Sequence, residues 1–201
     1  MEITDQLLET IKKLGNKIAQ HFHIPLQSGC DETLKRMNRK YVMQDYFNVI
    51  GKIRYMFPKA SITTDCLAGF VGETEDEFNT TYENIKKIGF FECHIFPYSK
   101  RPNTKAYDMP NHLHPSVIKM RANKLIELSN ELKNEYLDLS IGEIKEVLFE
   151  QNKNGYWYGH TSDYIDVYIK SNKCLENEVR YVKLLKNVNG TVYGEEVQNE
   201  I

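Results

Sequence analysis

Two hydrophobic periods change places along the first two-thirds of the chain. Residues 4–14, TDQLLETIKKL, place Leu7, Leu8, Ile11 and Leu14 on one helical face, with Thr4 available as an N-cap. The run HFHIPLQ, 21–27, alternates instead. His21, His23, Pro25 and Gln27 share one side, and Phe22, Ile24 and Leu26 the other. A short helix is expected near 31–38. A longer one near 44–56 carries Phe47, Ile50, Ile53 and Met56 inward and stops before Pro58. ASITTDCLAG, 60–69, predicts a second strand, and Thr74 with Glu77 a capping box that opens a helix burying Phe78, Tyr82 and Ile85. ECHIFPYS, 92–99, predicts a third strand. A loop rich in Lys, Arg, Pro and Asn leads to Pro115, which opens a long helix through Leu125, Leu128, Leu132 and Leu139.

Strands alternating with helices define an α/β fold with parallel βαβ units. After Gly142 the helical period vanishes. IKEVLFE, YWYGHT, YIDVYIK, VRYVKLLK and TVYGEEV are five short β-type runs separated by turn residues, the pattern of a small all-β barrel. The boundary is expected near 139–142, giving domains 1–139 and 140–201. Three strands form an open layer, because a closed (β/α) barrel of eight strands needs about 250 residues.

Composition narrows the function classes. The 201 residues are 41% hydrophobic and 27% charged, as in an ordinary globular protein. No apolar run approaches the ~20 residues that span a bilayer, and no signal-peptide pattern opens the chain, so a soluble protein is expected. Cys30, Cys66, Cys93 and Cys174 form neither a C-x-x-C nor a C-x-x-H pair, and read as small buried hydrophobes. A formal charge of −2 offers no global case for nucleic-acid binding.

Ligands of parallel α/β folds collect at the carboxyl ends of strands. Gln27, Ser28, Asp65, Gly69 and Ser99 fall there, and Leu67 shares the Asp65 face. An amide and a carboxylate can grip ribose hydroxyls or an amino group, and glycine lets a ligand approach the backbone. The plainer alternative makes Ser28 a helix N-cap and Asp65 a hydrogen-bonded strand end. GFVGET, 69–74, is not a phosphate-binding P-loop, because no Lys follows in register. No Ser-His-Asp arrangement or metal-spaced His cluster stands out. The residues alone indicate a ligand site without catalytic machinery.

HFHIPLQSGCDETLKRMNRKY (21–41), ITTDCLAGFVGETEDEF (62–78), HIFPYSKRPNTKAYDMP (94–110), LIELSNELKNEY and GHTSDYIDVYI (159–169) together resemble radical S-adenosylmethionine methylthiotransferases that modify tRNA. The resemblance covers nearly the whole chain in family order. HIFPYSKRPNTKAYDMP is most similar to the branch acting on N6-threonylcarbamoyladenosine at tRNA position 37. It implies the distal part of a radical SAM barrel followed by a TRAM domain, a small β-barrel that holds tRNA. In the intact enzyme, S-adenosylmethionine is cleaved reductively and the radical formed abstracts the C2 hydrogen of the adenine. A methylthio group is then supplied with the help of an auxiliary cluster. The resemblance also implies two 4Fe-4S clusters, one held by a C-x3-C-x2-C loop and one by an N-terminal domain, neither of which occurs in this chain. The polypeptide therefore resembles a C-terminal portion, expected to hold no cluster, to be inactive alone, to self-associate through its open layer, and to work in the cytoplasm without a membrane. Val71 departs from the usual Pro of the family's G-F-P-G-E-T, which implies a less rigid loop.

The resemblance assigns Gln27, Ser28, Asp65, Leu67 and Gly69 to the cofactor-side strand ends. For tRNA, it directs attention to the β part, although residues 140–201 hold seven Lys/Arg and ten Asp/Glu, a net of −3. A local cluster is needed there, since phosphate contacts supply most non-specific affinity. Arg180 and Lys183, with Lys186, lie on one strand. Tyr164 follows a polar turn, and Trp157 and Tyr158 can either stack on bases or fill the core. Lys100 and Arg101 offer a second basic site after the third strand. The competing reading is a stand-alone RNA-binding module with the α/β part as its scaffold.

Overall fold

The computed structural model describes residues 3–197. Its first part is an α/β layer. Helix α1 (Asp5–Leu14) precedes strand β1 (His21–His23), helices α2 (Asp31–Arg36) and α3 (Met43–Met56), strand β2 (Ser61–Ala68), helix α4 (Glu75–Ile88), strand β3 (Glu92–Pro97) and the long helix α5 (Pro115–Ser140). The three strands are parallel in the order β1-β2-β3, with His21 opposite Ser61 and Asp65 opposite His94. A closed barrel follows: β4 (Ile144–Lys153), β5 (Tyr156–Thr161), β6 (Asp166–Ile169), β7 (Glu178–Val188) and β8 (Thr191–Glu196), in the order β4-β5-β6-β8-β7. Every barrel pair is antiparallel except β6 with β8.

The expected α/β layer and five-stranded barrel are both present. Local chemistry accounts for the element ends. Thr4 Oγ1 accepts from the Leu7 amide. Thr74 and Glu77 form the expected capping box, Thr74 Oγ1 accepting from Glu77 N–H and the Glu77 carboxylate accepting from Thr74 N–H. Strand β1 is shorter than the alternation of 21–27 predicts. After Ile24 N–H donates to Thr63 O, the Leu26 N–H turns to the Thr64 hydroxyl, so the ladder breaks and resumes only as an isolated bridge between Gln27 and Cys66.

Two apolar cores sit end to end, and α5 belongs to both. Ile24, Leu26, Ile62, Cys66, Ala68 and Cys93 turn one side of the sheet onto Tyr46, Ile50, Ile53, Phe78, Ile85, Leu125 and Leu128. Further along α5, Leu137 joins Phe91 in the barrel core of Val147, Phe149, Trp157, Val167, Ile169, Leu184 and Val192. The junction is polar at its rim. Tyr136 donates to Asp163 (2.9 Å) and to the Lys59 carbonyl (3.0 Å). Lys145 reaches Asp163 at 2.5 Å, Lys59 pairs with Glu143 at 2.8 Å, and Asn187 donates to Asn134 and Asp138.

Several expected faces are only partly used. Leu7 and Leu14 of α1 remain 45% and 42% exposed, because α1 packs on little besides α3, and Leu139 is 83% exposed past the end of the first core. Cys30, Cys66 and Cys93 are buried as expected, but Cys174 lies in an exposed turn.

Candidate functional site

The sheet has a second face, turned away from the core. His21 and His23 of β1, Thr63, Asp65 and Leu67 of β2, and His94 and Phe96 of β3 alternate onto it, with His23, His94 and Phe96 exposed. Hydrogen bonds tie its layers together: His21 Nδ1 with Ser61 Oγ (2.9 Å), His23 Nδ1 with Thr63 Oγ1 (3.0 Å), and His23 Nε2 near Asp65 Oδ2 (3.4 Å). Burial, reinforced by His23 and His94, pushes the His21 imidazole below its ordinary pKa.

Of the five residues assigned to the cofactor side, Asp65 and Leu67 lie on this face, and Gln27 follows β1 as the bridge partner of Cys66. Gln27 sits in the left-handed region (φ 65°), its backbone bonded on both sides to β2 through Asp65 O and Leu67 N. Its Oε1 accepts from Arg39, and its NH2 has no partner among the described residues. Asp65 and Leu67 follow on β2, both partly exposed, with Phe96 opposite Leu67. An amide, a carboxylate and an apolar platform beside an aromatic ring form a donor set that suits a nucleoside.

Ser28 and Gly69 turn elsewhere. Ser28 is fully buried, its Oγ shared with Thr81 and accepting from Cys30 N–H, so it is neither open to a ligand nor the N-cap of α2, a position held by Cys30. Gly69 lies at φ 74°, and a Cβ there would come within 2.8 Å of the Ile118 side chain. Its N–H is taken by Glu73 Oε2. The Gly69 turn is therefore built for packing against α5. Glu73 is itself buried with Arg121 (2.9 Å), and burial raises its pKa. Val71, where rigidity was expected to fall, is buried, and its carbonyl accepts from Arg36 Nε.

The cysteines do not fit an iron–sulfur cluster. Cys66 and Cys93 project into the core from adjacent strands. Burial raises both thiols, Cys93 to about 12, whereas cluster ligands are thiolates. Cys30 lies at the start of α2 and Cys174 in the barrel, on separate elements.

The residues expected to touch tRNA fall in three places. Lys100 and Arg101 follow β3 in an exposed loop, Lys100 lying 4.3 Å above the Tyr107 ring. Tyr164, half exposed at φ 62°, stacks on His21 (4.5 Å) and on His160 (5.2 Å), at the amino end of β1. Arg180 is neutralised by Glu178 and Glu196, and Lys183 lies opposite Glu195 on β7. Trp157 fills the barrel core.

Tyr158 and Lys186, both considered for tRNA from the sequence, belong to a wider face on the outside of the barrel whose other members were not anticipated. Tyr158 packs on Tyr168 (5.2 Å), Tyr168 on Tyr193 (5.9 Å), and Tyr193 on Tyr156 (5.6 Å). Lys153 lies 3.7 Å over Tyr158, Lys170 5.2 Å over Tyr156 and Lys186 5.5 Å over Tyr193. The signal was the Tyr at outward parity in YWYGHT, DVYI and TVYGEE. What made it a patch is the β6–β8 pairing, which sequence spacing does not reveal.

An open sheet face with nucleoside-type groups, next to a β-barrel with an aromatic and basic surface, is the setting in which known relatives become informative. Residues 1–85 match the radical SAM superfamily. The chain is 37% identical over 190 residues to the threonylcarbamoyladenosine tRNA methylthiotransferase MtaB of Bacillus subtilis, covering 92% of this chain and 42% of that protein. A tRNA-2-methylthio-N(6)-dimethylallyladenosine synthase of Clostridium tetani is 36% identical over 200 residues, 98% of this chain and 44% of that protein. Another of that name, from Pelotomaculum thermopropionicum, is 38% identical over 157 residues, 77% of this chain and 35% of that protein. Over three-quarters or more of its length the chain is similar to tRNA methylthiotransferases of this kind, and it spans less than half the length of these relatives.

Proposed function

We propose that this chain forms the distal part of an enzyme that adds a methylthio group at C2 of N6-threonylcarbamoyladenosine at tRNA position 37. The observation that carries this reading is the 37% identity to a threonylcarbamoyladenosine enzyme across 92% of the chain, both structural parts included. Gln27, Asp65 and Leu67 are the residues suited to hold the nucleoside end of S-adenosylmethionine, with Phe96 at its side. When bound, that cofactor supplies radical chemistry, while the residues here bind, orient and exclude water. The 4Fe-4S clusters have no ligands among the four cysteines. The 201 residues alone are therefore expected neither to retain a cluster on anaerobic reconstitution nor to modify tRNA.

The barrel's tyrosine and lysine face is suited to hold tRNA, because tyrosine rings accept unpaired bases and lysines meet the flanking phosphates. Lys153, Lys170 and Lys186 supply cations on this face, beside Asp166, which accepts from the Tyr158 hydroxyl. The Lys100/Arg101 loop is a second contact beside the strand ends.

A chimaera tests the enzymatic reading. These 201 residues replace the matching part of the Bacillus subtilis relative in cells lacking that enzyme, and tRNA nucleosides are separated by mass spectrometry. Appearance of the 2-methylthio derivative of threonylcarbamoyladenosine is expected. The dimethylallyl derivative instead, in the matching chimaera with the Clostridium tetani relative, would move the chain to the other branch. Filter binding of tRNA at two salt concentrations tests the barrel face. Tyr158→Ala with Lys153→Ala is expected to weaken binding about tenfold or more, by loss of a stacking contact and a charge.

A further inference from the structure

On the open face, three adjacent strands bring Asp65 together with two histidines that the proposed function leaves unused. We propose that His23, Asp65 and His94 form a binding site for a divalent transition-metal ion. One ligand atom from each lies within 4.8 Å of the other two. The three residues share one face of the parallel sheet because Asp65 is opposite His94 in register and His23 is opposite Thr63, two residues before Asp65.

Several features favour an ion over a simple histidine–carboxylate pair. His23 Nδ1 is held by the Thr63 hydroxyl at 3.0 Å, which leaves Nε2 facing the Asp65 carboxylate. A histidine ligand is usually oriented in this way, its second nitrogen engaged by an outer polar group. Thr63 is in turn fixed by His21 Nε2 at 3.2 Å. The His94 ring stands 5.9 Å from that of His23 and has no hydrogen-bond partner among the described residues, although it sits within reach of two other donors. Two imidazoles and a carboxylate match zinc, iron(II), cobalt(II) or nickel(II). They do not match calcium or magnesium, which prefer oxygen alone, or copper(I), which prefers sulfur.

The present spacing is wider than the roughly 3.3 Å between ligands around a tetrahedral ion with bonds of ~2.0–2.1 Å. Closing the gap needs only side-chain rotation, because His94 is exposed. Three protein ligands would leave at least one coordination position open.

The test uses the full 201-residue chain without a histidine tag and with Cys174→Ser, so that the exposed thiol does not compete. Cobalt(II) is titrated in by visible absorption, and zinc(II) is used to displace it. One equivalent of cobalt with d–d bands and no thiolate charge-transfer band is expected, and zinc should abolish the spectrum. His94→Ala and Asp65→Asn should each weaken binding by at least about tenfold. His94→Gln, which keeps the side-chain bulk, should do the same with an unchanged circular dichroism spectrum. His112→Ala and His114→Ala should leave binding as it was. No cobalt spectrum at roughly tenfold excess of metal, or binding that survives the His94 and Asp65 substitutions, would overturn the proposal. The readout is independent of tRNA and of catalysis, so failure of the methylthiotransferase reading leaves it standing, and the reverse.

Discussion

Gly69 and Glu77 show how single positions hold the loop beside the strand ends. At φ 74°, and with Ile118 only 2.8 Å from where a Cβ would stand, Gly69 answers both to backbone conformation and to packing. Gly69→Ala is expected to cost about 1–3 kcal/mol, measured by urea denaturation. Trimming the neighbour in Gly69→Ala/Ile118→Val should recover part of that loss, since the steric component is relieved while the strain remains. Glu77 accepts two bonds from the Arg36 guanidinium, which holds its carboxyl below the usual range. A depressed folded-state pKa means that the stabilisation is fully present above the ordinary carboxylate value of about 4.3. It is lost as pH falls through the lowered value. Acid titration of stability should therefore be less steep in Arg36→Gln than in the parent, and equal slopes would show that the pair contributes nothing.

At the scale of elements, the β2–α4 turn is tied to α5 by one buried ion pair. Arg121 and Glu73 are both about 4% exposed, 2.9 Å apart, and Arg121 also donates to the Glu73 carbonyl and to Glu75. Arg121 Nε has no hydrogen-bond partner among the described residues, and the guanidinium lies over Phe78 at 5.2 Å. Arg121→Met should cost about 3–5 kcal/mol by leaving a buried carboxylate unpaired. Adding Glu73→Gln should restore much of it, because the remaining group is then neutral. If the double variant is no more stable than Arg121→Met, the charge is not the cause. Strand β3 is protected differently. Ser129 Oγ both accepts from Cys93 N–H and donates to its carbonyl, so α5 covers part of an edge that would otherwise be open to pairing.

The molecule as a whole depends on how α5 joins the two cores. Asp163, buried, accepts from Tyr136, Lys145 and Thr161 at once, and Leu137 and Phe91 carry the apolar contact into the barrel. Asp163→Ala is expected to destabilise by roughly 2–4 kcal/mol, with Lys145 left without its closest partner. The single tryptophan, Trp157, lies in the barrel core and reports on it by fluorescence, whereas helix content reports on the α/β part. In the parent the two transitions should coincide. In the variant the barrel should melt first, and coincident transitions would mean that the junction does not couple the two parts. A cleft of about 400 Å³ also lies at this junction, between Lys59, Phe91, Tyr136, Glu143 and Lys145. It sits at the amino ends of the strands, away from Gln27 and Leu67.

Helices α3, α4 and α5 and strands β2 and β3 were legible in the chain itself, because a buried face repeats with the period of its element and caps are local chemistry. The capping box at Thr74 and the proline at the start of α5 needed no tertiary information. The five barrel strands were legible for the same reason, as was the grouping of Asp65 with Leu67 on one face. The length of β1 was overestimated, since alternation continues through Leu26 whereas backbone pairing does not, the Leu26 N–H being taken by the Thr64 side chain. Ser28, Gly69 and Arg180 looked like ligand contacts because their residue types allow it. Their neighbours Thr81, Ile118 and Glu196 lie 53, 49 and 16 positions away and claim them for packing or charge balance. The tyrosine face and the His23–Asp65–His94 cluster were invisible for the converse reason. Each is made by strand order and register, which bring residues from distant segments within a few ångströms, and no local period records that order.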